Sequence, residues 1–256
     1  MTATVSALRP PAGNPATRPE LTPALRAAVD ERSRAALALL RAALAEFGSA
    51  GELAFANSFG AEDMVLSDLI LSNALPIEIF SLDTGRLPAA TYALMGEVEQ
   101  RYHTRLKIWF PDTAAVEAHV REQGINAFYK SVELRKACCQ IRKIEPLKRA
   151  LAGKKAWITG LRAAQSVTRS GLPEREFDAG NGLEKLNPLH AWSEAEVWAY
   201  IRMHDVPYNA LHDQFYPSIG CEPCTRAISL GEDVRAGRWW WEDPASKECG
   251  LHPGKR

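Results

Sequence analysis

The sequence predicts an α/β fold built on a doubly wound, mostly parallel sheet. Three observations predict it: four short apolar segments are bounded by turn residues, helical patterns separate them, and several of the apolar segments end in polar, glycine-containing loops. Strands that alternate with helices favour parallel pairing, because each helix returns the chain to the same edge of the sheet. Ligands of such sheets bind beyond the carboxyl ends of the strands, where these loops lie.

The elements follow in chain order. Residues 1–20 are rich in Pro, Ala and Thr, and we expect a disordered tail ahead of a single domain over 21–256 that ends in a mobile C-terminal tail. An Ala/Leu/Arg pattern over 21–47 predicts one or two helices that end at Gly48. Strands are then predicted over 52–58, 77–83, 106–110 and 156–161, and helices over 61–72, 89–102 and 113–123.

Composition limits the classes of function. The 256 residues are 46% hydrophobic and 24% charged, which is ordinary for one globular domain. The 31 Lys and Arg balance 31 Asp and Glu, so no overall positive field recruits nucleic acid or an anionic membrane. The chain has no apolar stretch of membrane-spanning length, and its N-terminus lacks the apolar core of a secretory signal. We therefore expect a cytoplasmic protein with reduced cysteines and no nucleic-acid or membrane partner.

Polar loops follow three of the predicted strands. The SFG loop after the first strand leads into a helix, where backbone N–H groups and the helix dipole favour an anion. SLDTG after the second strand suits a ribose or base, and TGLRAAQSVTR after the fourth carries two arginines. Each loop alone is also typical of an ordinary turn, but together they predict a nucleotide pocket at one sheet edge. The residues expected to face the nucleotide are Ser58, Phe59, Gly60, Leu82, Asp83, Thr84, Gly85 and Arg162.

Four of the five cysteines form two pairs. KACCQ places Cys138 beside Cys139, and GCEPC contains Cys221 and Cys224. Adjacent Cα atoms lie about 3.8 Å apart, below the usual span of a disulfide, so we expect no bond within the first pair. Four thiolates can hold zinc or a [4Fe–4S] cluster, and the residues alone leave both open. Adjacent cysteines diverge on a helix, which suits the wide face of a cubane better than a single ion.

Basic residues surround the first cysteine pair. Arg135 and Lys136 precede it, and Arg142 and Lys143 follow it. One interpretation is a solvated helix face, as is usual for a run of charges. The other is functional: a cation offsets the negative charge of four thiolates and bridges to an anionic substrate.

The fifth cysteine, Cys249, lies near the C-terminus. A lone cysteine is often a buried apolar residue, but a terminal segment is poorly placed for a core. Lys247 and His252 flank it, and Arg235 and Arg238 lie upstream. Such cations favour a thiolate, so the segment also suits a nucleophilic cysteine.

These motifs resemble those of a known family. SFG, LDTGRLPAATY, GLRAAQSVTR and KECGLH, over about residues 50–256, are similar to the sulfonucleotide reductases, which have the adenine-nucleotide α-hydrolase-like fold. The CC and CxxC pairs narrow the resemblance to the iron–sulfur type of assimilatory adenylyl-sulfate (APS) reductases. The related ATP pyrophosphatases use an SGGxDS loop, from which Phe59 and Ala61 depart, and this disfavours a triphosphate ligand.

The resemblance implies an enzyme that reduces APS to sulfite and AMP. Cys249 would attack the sulfur of APS and become an S-sulfocysteine, from which thioredoxin or glutaredoxin releases sulfite. It also implies a homo-oligomer, and a [4Fe–4S] cluster on Cys138, Cys139, Cys221 and Cys224. Lys143 would bridge the cluster and the substrate. The cations implied to meet the substrate anion are Lys143, Arg162, Arg235, Arg238 and His252.

Three alternatives stay open. A PAPS reductase, or a reductase of both APS and PAPS, shares the fold and the terminal cysteine, but PAPS reductases typically lack the two cysteine pairs. An iron–sulfur ATP pyrophosphatase that thiolates tRNA needs the SGGxDS loop and gains from a basic face. A zinc-stabilised binding module would be colourless, whereas a cluster protein is yellow-brown.

Overall fold

The structure is a computed structural model that describes residues 14–47, 51–165 and 171–243. Strands and helices alternate as predicted. The strands are β1 (Leu53–Ala56), β2 (Glu78–Leu82), β3 (Lys107–Trp109), β4 (Ala156–Ile158), β5 (Arg175–Asp178) and β6 (Leu183–Leu186). The helices are α1 (Pro23–Phe47), α2 (Ala61–Ser72), α3 (Ala89–Tyr102), α4 (Thr113–Gln123), α5 (Val132–Cys139), α6 (Glu145–Leu151) and α7 (Glu194–Met203).

The strands form one sheet in the order β3-β2-β1-β4-β6-β5. All neighbouring pairs are parallel except β5 and β6, which are antiparallel. The chain adds β2 and β3 on one side of β1 and then places β4 on the other side, so the topological switch point lies between β1 and β4. This confirms the predicted doubly wound, mostly parallel fold, and it directs the loops after β1 and β4 toward the same crevice.

Local signals set the helix boundaries between the first strands. The predicted bounds of the helices over 61–72, 89–102 and 113–123 agree with α2, α3 and α4. α4 begins after Asp112, whose carboxylate accepts a hydrogen bond from Ala115 N at 2.8 Å, and it ends at Gly124 with φ of 96°. A capping carboxylate at the start and a glycine at the end are ordinary helix boundaries.

Apolar side chains cover both faces of the sheet. Leu53, Phe55 and Ile158 belong to the main core, beneath α1, α2 and α7. Ala54 and Trp157, the alternate positions of the same strands, belong to a second cluster with residues of α6. Because successive strand residues point to opposite faces, this alternation shows a three-layer α/β/α arrangement. None of the described helices combines the length and apolar composition that a membrane crossing requires.

The folded body begins earlier than the predicted boundary at residue 20. Thr17 is 1% exposed, and its hydroxyl donates to Asp213 Oδ1 at 2.7 Å. Asn14 Nδ2 donates to the carbonyl oxygen of His212 at 3.2 Å. The disordered-tail prediction is therefore wrong for residues 14–17, because polar partners distant in sequence hold Asn14 and Thr17 in place. The predicted mobile C-terminal tail from residue 244 onward lies outside the described residues.

Candidate active site

A cavity of about 440 Å³ lies at the carboxyl ends of β1, β2 and β4. Its size falls within the range of small-molecule sites, roughly 300 to 1,000 Å³. The predicted ligand residues on its wall are Ser58, Gly60, Leu82, Thr84, Lys143, Arg162, Arg235 and Arg238. Eight of the twelve residues predicted to bind the substrate therefore line this cavity, and their contact with a ligand stays a prediction. Among the other predicted residues, Phe59, Asp83 and Gly85 lie beside the wall rather than on it, and Cys249 and His252 lie outside the described residues.

A buried carboxylate shapes the loop after β1. Asp63 Oδ2 accepts hydrogen bonds from Ser58 N at 2.7 Å and from the Ser58 hydroxyl at 2.6 Å. Burial raises the pKa of Asp63 to about 6, although the bonds from Ser58 act in the opposite direction. Gly160, after β4, passes so close that a Cβ there would overlap Asp63 Oδ1. Asp63 and Gly160 therefore fix the two loops against each other at the switch point.

Phe59 anchors this loop to the main apolar core. Its backbone has φ of 61°, an uncommon conformation for a residue with a side chain. The side chain is 1% exposed in the main apolar core, and its N–H donates to Asn57 Oδ1 at 2.6 Å. The Phe59 side chain therefore packs in the core rather than on the cavity wall, and the predicted contact of this residue with the substrate stays a prediction.

The loop after β2 connects the sheet to both cysteine segments. Asp83 accepts hydrogen bonds from Gly85 N at 2.7 Å and from the Tyr92 hydroxyl at 2.8 Å, so its carboxylate shapes the turn. Thr84 Oγ1 lies 3.2 Å from Cys221 Sγ, within hydrogen-bonding distance. The Thr84 carbonyl accepts a hydrogen bond from Arg142 Nη1 at 2.6 Å. Thr84 is thus the member of this loop that reaches the cavity and the cysteines together.

The adjacent cysteines end helix α5. Cys138 and Cys139 are its last residues, and a π-helical turn over Gln140–Ile144 follows before α6. Such widened turns occur mostly as single insertions and frequently at functional sites. Here the turn carries Arg142 and Lys143, so the cations predicted around the cysteine pair lie on an element that departs from regular helix geometry.

The four paired cysteines lie close to one another, since thiols of the two pairs act on each other's pKa. Burial raises the pKa of Cys138, with a further contribution from Cys221. Burial also raises the pKa of Cys224 to about 12, and here both Cys221 and Cys139 contribute. Two segments far apart in the chain therefore bring their thiols together, as the pairing of the cysteines predicted. Among residues 14–47, 51–165 and 171–243, no three or more His, Cys, Asp or Glu side chains are arranged to hold a single metal ion.

Two cations link the cysteines to the cavity. Lys143 and Arg238 both line the cavity, and both lower the pKa of the Cys224 thiol. The Arg238 guanidinium lies 4.8 Å from the centre of the Trp239 ring. It also packs against Gly220, where a side chain would overlap it. The position of Arg238 is therefore set by an aromatic ring on one side and by bare backbone on the other.

Arg162 is held by a carboxylate on the same wall. Its Nε lies 2.8 Å and its Nη2 2.7 Å from Glu62 Oε1, and its side chain is 7% exposed. Nη1 donates to the carbonyl oxygen of Trp192 at 3.4 Å. A ligand anion at Arg162 would therefore share the guanidinium with Glu62, which the sequence did not reveal.

Sequence analysis missed the cavity residues whose role depends on distant partners. Glu62 and Asp63 follow SFG after Ala61, and two acidic residues in a first helical turn are usual for helix stabilisation. Gly160 and Gly220 are ordinary loop glycines until the structure brings Asp63 and Arg238 against them. The one available signal was a pair of acidic residues one position beyond a predicted anion-binding loop.

Comparisons with known proteins agree with this geometry. Residues 52–227 match the family described as the phosphoadenosine phosphosulfate reductase domain. The chain is 61% identical over 221 residues to an adenosine 5'-phosphosulfate reductase of Allochromatium vinosum, covering 86% of this chain and 85% of that protein. It is 54% identical over 238 residues to an adenosine 5'-phosphosulfate reductase of Burkholderia cepacia, covering 93% and 92%.

Solved structures give the same fold. The phosphoadenylyl-sulfate (PAPS) reductase of Candida auris, in its phosphate complex, superposes with a TM-score of 0.64 at 29% identity, covering 78% of this chain and 96% of that chain. Yeast FAD synthetase in complex with FAD superposes with a TM-score of 0.57 at 16% identity, covering 84% and 72%. The second likeness shows the fold alone, which is the adenine-nucleotide α-hydrolase-like fold.

Proposed function

The chain belongs to the phosphoadenosine phosphosulfate reductase domain family, and we propose that it reduces adenosine 5'-phosphosulfate (APS) to sulfite and AMP in sulfate assimilation. The observation that carries the proposal is that Lys143 and Arg238 lie both on the cavity wall and beside the cysteines. They line the cavity, and their charges lower the pKa of the Cys224 thiol. A substrate anion at these cations lies between the sheet loops and the cysteines. APS is preferred to PAPS because both cysteine pairs are intact and the curated relatives are named for APS.

The cavity can bind the two ends of APS by different means. The loops after β1, β2 and β4 present backbone and small polar groups such as Ser58 and Thr84, which suit the nucleoside. Lys143, Arg235 and Arg238 line the same cavity and suit the phosphosulfate through charge-assisted hydrogen bonds. The relative from Candida auris was solved as a phosphate complex, which supports an anion site in this fold.

We also propose that Cys138, Cys139, Cys221 and Cys224 hold a [4Fe–4S] cluster. The thiols converge from two segments, and Lys143 lies close enough to offset their charge as thiolates. A cubane gives each thiolate its own iron, so it tolerates a wider spacing of thiols than a single ion does. When bound, the cluster would supply a compact anionic centre that fixes these two segments.

The proposed nucleophile is Cys249, which lies outside the described residues. Its thiolate attacks the sulfur of APS, an S–S bond forms, and the bond between that sulfur and the AMP phosphate oxygen breaks, so AMP leaves with the oxygen. Lys143, Arg235 and Arg238 would stabilise the negative charge that grows on the leaving phosphate. The product on the protein is an S-sulfocysteine.

The second half of the reaction needs two electrons from a dithiol protein. A thiolate of thioredoxin or glutaredoxin attacks the Cys249 sulfur and displaces sulfite with the S–S electron pair. The second thiol of the reductant then resolves the mixed disulfide and returns Cys249 as a thiol. Such a reductant is available in the cytoplasm, where we propose that the protein works.

Sulfite release tests this proposal. Protein purified without oxygen is incubated with APS or with PAPS, each with reduced thioredoxin, and sulfite is measured against time. We expect sulfite from APS, much less from PAPS, and none from the Cys249→Ser variant. Equal or faster release from PAPS would reassign the substrate, and the absence of sulfite from both would refute the proposed activity.

A further inference from the structure

A buried ion pair joins the helix of the adjacent cysteines to the segment that precedes residue 244. Arg135 Nε lies 2.9 Å from Glu242 Oε1, and Arg135 Nη2 lies 2.7 Å from Glu242 Oε2. The two side chains are 0% and 3% exposed. Two parallel bonds between a guanidinium and a carboxylate fix the relative orientation of both groups as well as their distance.

The environment of the pair makes it costly to form. The Arg135 guanidinium lies 4.7 Å from the ring centre of Trp239, which is itself 2% exposed. Removing two charges from water carries a desolvation penalty that their mutual attraction often fails to exceed, so apolar residues at such positions are often as stable. The presence of the Arg135–Glu242 pair therefore suggests that it fixes one arrangement of the chain. This is the best-attested use of buried polar groups.

The pair connects the helix that carries Cys138 and Cys139 to the segment that leads to Cys249. Arg135 is on α5, three residues before Cys138, and Glu242 is seven residues before Cys249. Trp239, which covers Arg135, also contacts the guanidinium of Arg238 on the cavity wall. One ion pair thus sets the position of α5, of a cavity cation and of the start of the segment that carries Cys249.

We propose that Arg135 and Glu242 are positioning residues that hold the start of the Cys249 segment against the cysteine helix, so that the thiol is delivered to substrate bound in the cavity. This inference rests on the proposed function, since it takes Cys249 as the nucleophile. Neither residue lines the cavity, so the pair affects the approach of the thiol rather than the binding of the nucleotide.

The chain provides a matched control. Arg175 and Glu46 form a similar two-point pair, with nitrogen–oxygen distances of 2.5 and 2.7 Å. Their side chains are 41% and 48% exposed, and the pair connects β5 to α1, away from the cavity. Neutralising Glu46 removes a two-point pair at the surface, leaves Arg175 its bond to Glu184, and does not affect the Arg135–Glu242 pair.

The experiment compares the holoprotein with three variants. Glu242→Gln breaks the pair and leaves a buried guanidinium, whereas Arg135→Met/Glu242→Leu removes both charges and protects folding. Glu46→Gln is the control. The readouts are iron content, AMP affinity, the single-turnover rate of sulfite addition to Cys249 from APS, and the rate at which a lysine-specific protease cuts after Lys247.

We expect both pair variants to keep their iron and to bind AMP within about twofold of the wild type. The rate of addition to Cys249 should fall at least about tenfold, as misplacement of a reacting group implies, and cutting after Lys247 should accelerate. The control should match the wild type in every readout. A pair with a purely structural role would instead lower AMP affinity and the rate together.

Wild-type addition and cutting rates in both pair variants would overturn the inference, and so would a loss of AMP affinity as large as the loss of rate. If the wild-type protein forms no adduct on Cys249, the proposed function fails instead. In that case the cutting rates after Lys247 still decide whether the pair positions the segment.

Discussion

The cavity has two walls that are held by different interactions. The sheet wall continues directly from β1, β2 and β4, whose residues Phe55, Phe80 and Ile158 are fully buried. It is formed by Ser58, Gly60, Ala61, Glu62, Asp63, Leu82, Thr84, Thr159, Gly160, Leu161 and Arg162. Short hydrogen bonds hold its polar groups in place; for example, Thr159 Oγ1 donates to Asn187 Oδ1 at 2.6 Å. The cysteine wall is formed by Lys143, Pro217, Ser218, Ile219, Gly220, Val234, Arg235, Arg238 and Trp239. It is backed by a small cluster whose buried members are Phe128, Cys224 and Trp239, with Cys138 and Cys221 packed against it.

We expect the two walls to serve different steps, with nucleotide binding on the sheet wall and the chemical step on the cysteine wall. Apolar burial is the dominant favourable term in folding, so the sheet wall is stabilised by the main core without help from a cofactor. The cysteine wall buries few apolar residues and depends on cross-links, namely the Arg135–Glu242 pair and the proposed cluster. We therefore expect changes in the cysteine wall to stop turnover while nucleotide binding persists, and changes at the centre of the sheet wall to impair binding itself.

The largest effect is expected from removing one paired cysteine. Cys221→Ser should lose iron and at least about a hundredfold in turnover, because metal-site affinity depends on the full set of ligands. AMP binding should stay within several-fold of the wild type, since the sheet wall is intact. Metal analysis and AMP titration measure the two effects, with Cys249→Ser as the control that keeps its iron. One zinc and no iron in the anaerobic wild-type protein would refute the cluster.

The next effect tests the sheet wall. Gly160→Ala places a methyl group against the buried Asp63 carboxylate, and we expect a loss of about 1 to 3 kcal/mol in unfolding free energy together with weaker AMP binding. Gly96→Ala is the matched control, because no atom lies within 4 Å of its added Cβ. Within helix α3 this control should be neutral or slightly stabilising. Normal AMP affinity in Gly160→Ala would contradict the assignment of binding to this wall.

A smaller effect is expected from single cations of the cysteine wall. Arg238→Ala and Arg235→Ala should each lower kcat/KM for APS about tenfold or more, because a charge-assisted hydrogen bond contributes about 1.5 to 3 kcal/mol. Arg121→Ala, an exposed cation on α4, serves as the control. Steady-state kinetics measure all three. Wild-type kinetics in both cavity variants would show that the substrate anion binds elsewhere.

The smallest effect is a pH dependence of stability from Asp63. Its pKa is about 6 in the folded protein and near 3.8 in the unfolded chain, so the folded state binds the proton more tightly. The contribution to stability is therefore complete below about pH 4 and is lost as pH rises through about 6. The unfolding free energy of the wild type relative to Asp63→Asn should fall by about 1 to 2 kcal/mol from pH 5 to pH 8. Urea unfolding measures both free energies. A difference between wild type and variant that stays constant from pH 5 to pH 8 would contradict the raised pKa of Asp63.

The sequence predicted the elements of the first half well because their signals are local. α2, α3 and α4 carry their own boundary residues and lie between apolar strands. The antiparallel pair of β5 and β6 was missed, since β5 is an edge strand in which Phe177 is 64% exposed and little apolar pattern remains. Helix α7 was also missed, although Ser193 and Glu196 form a capping box that could have indicated its start.

The site was predictable where residue chemistry alone identifies a role. The cysteine pairs and the cations beside them were enough to predict that the two segments meet and that Lys143 lies near their thiols, as the structure has them. The pairing of Arg162 with Glu62 and of Arg135 with Glu242 was not predictable, because the partners lie 100 and 107 residues apart in the chain. No local pattern encodes such contacts, which depend on the packing of the whole fold.

The most direct test of the central claim is the mass of the wild-type protein after incubation with APS in the absence of a thiol reductant. Transfer of SO₃ to the nucleophile should add about 80 Da, located on the peptide that contains Cys249, and reduced thioredoxin should remove it with release of sulfite. An adduct on another cysteine, or sulfite production without any adduct on Cys249, would contradict the account.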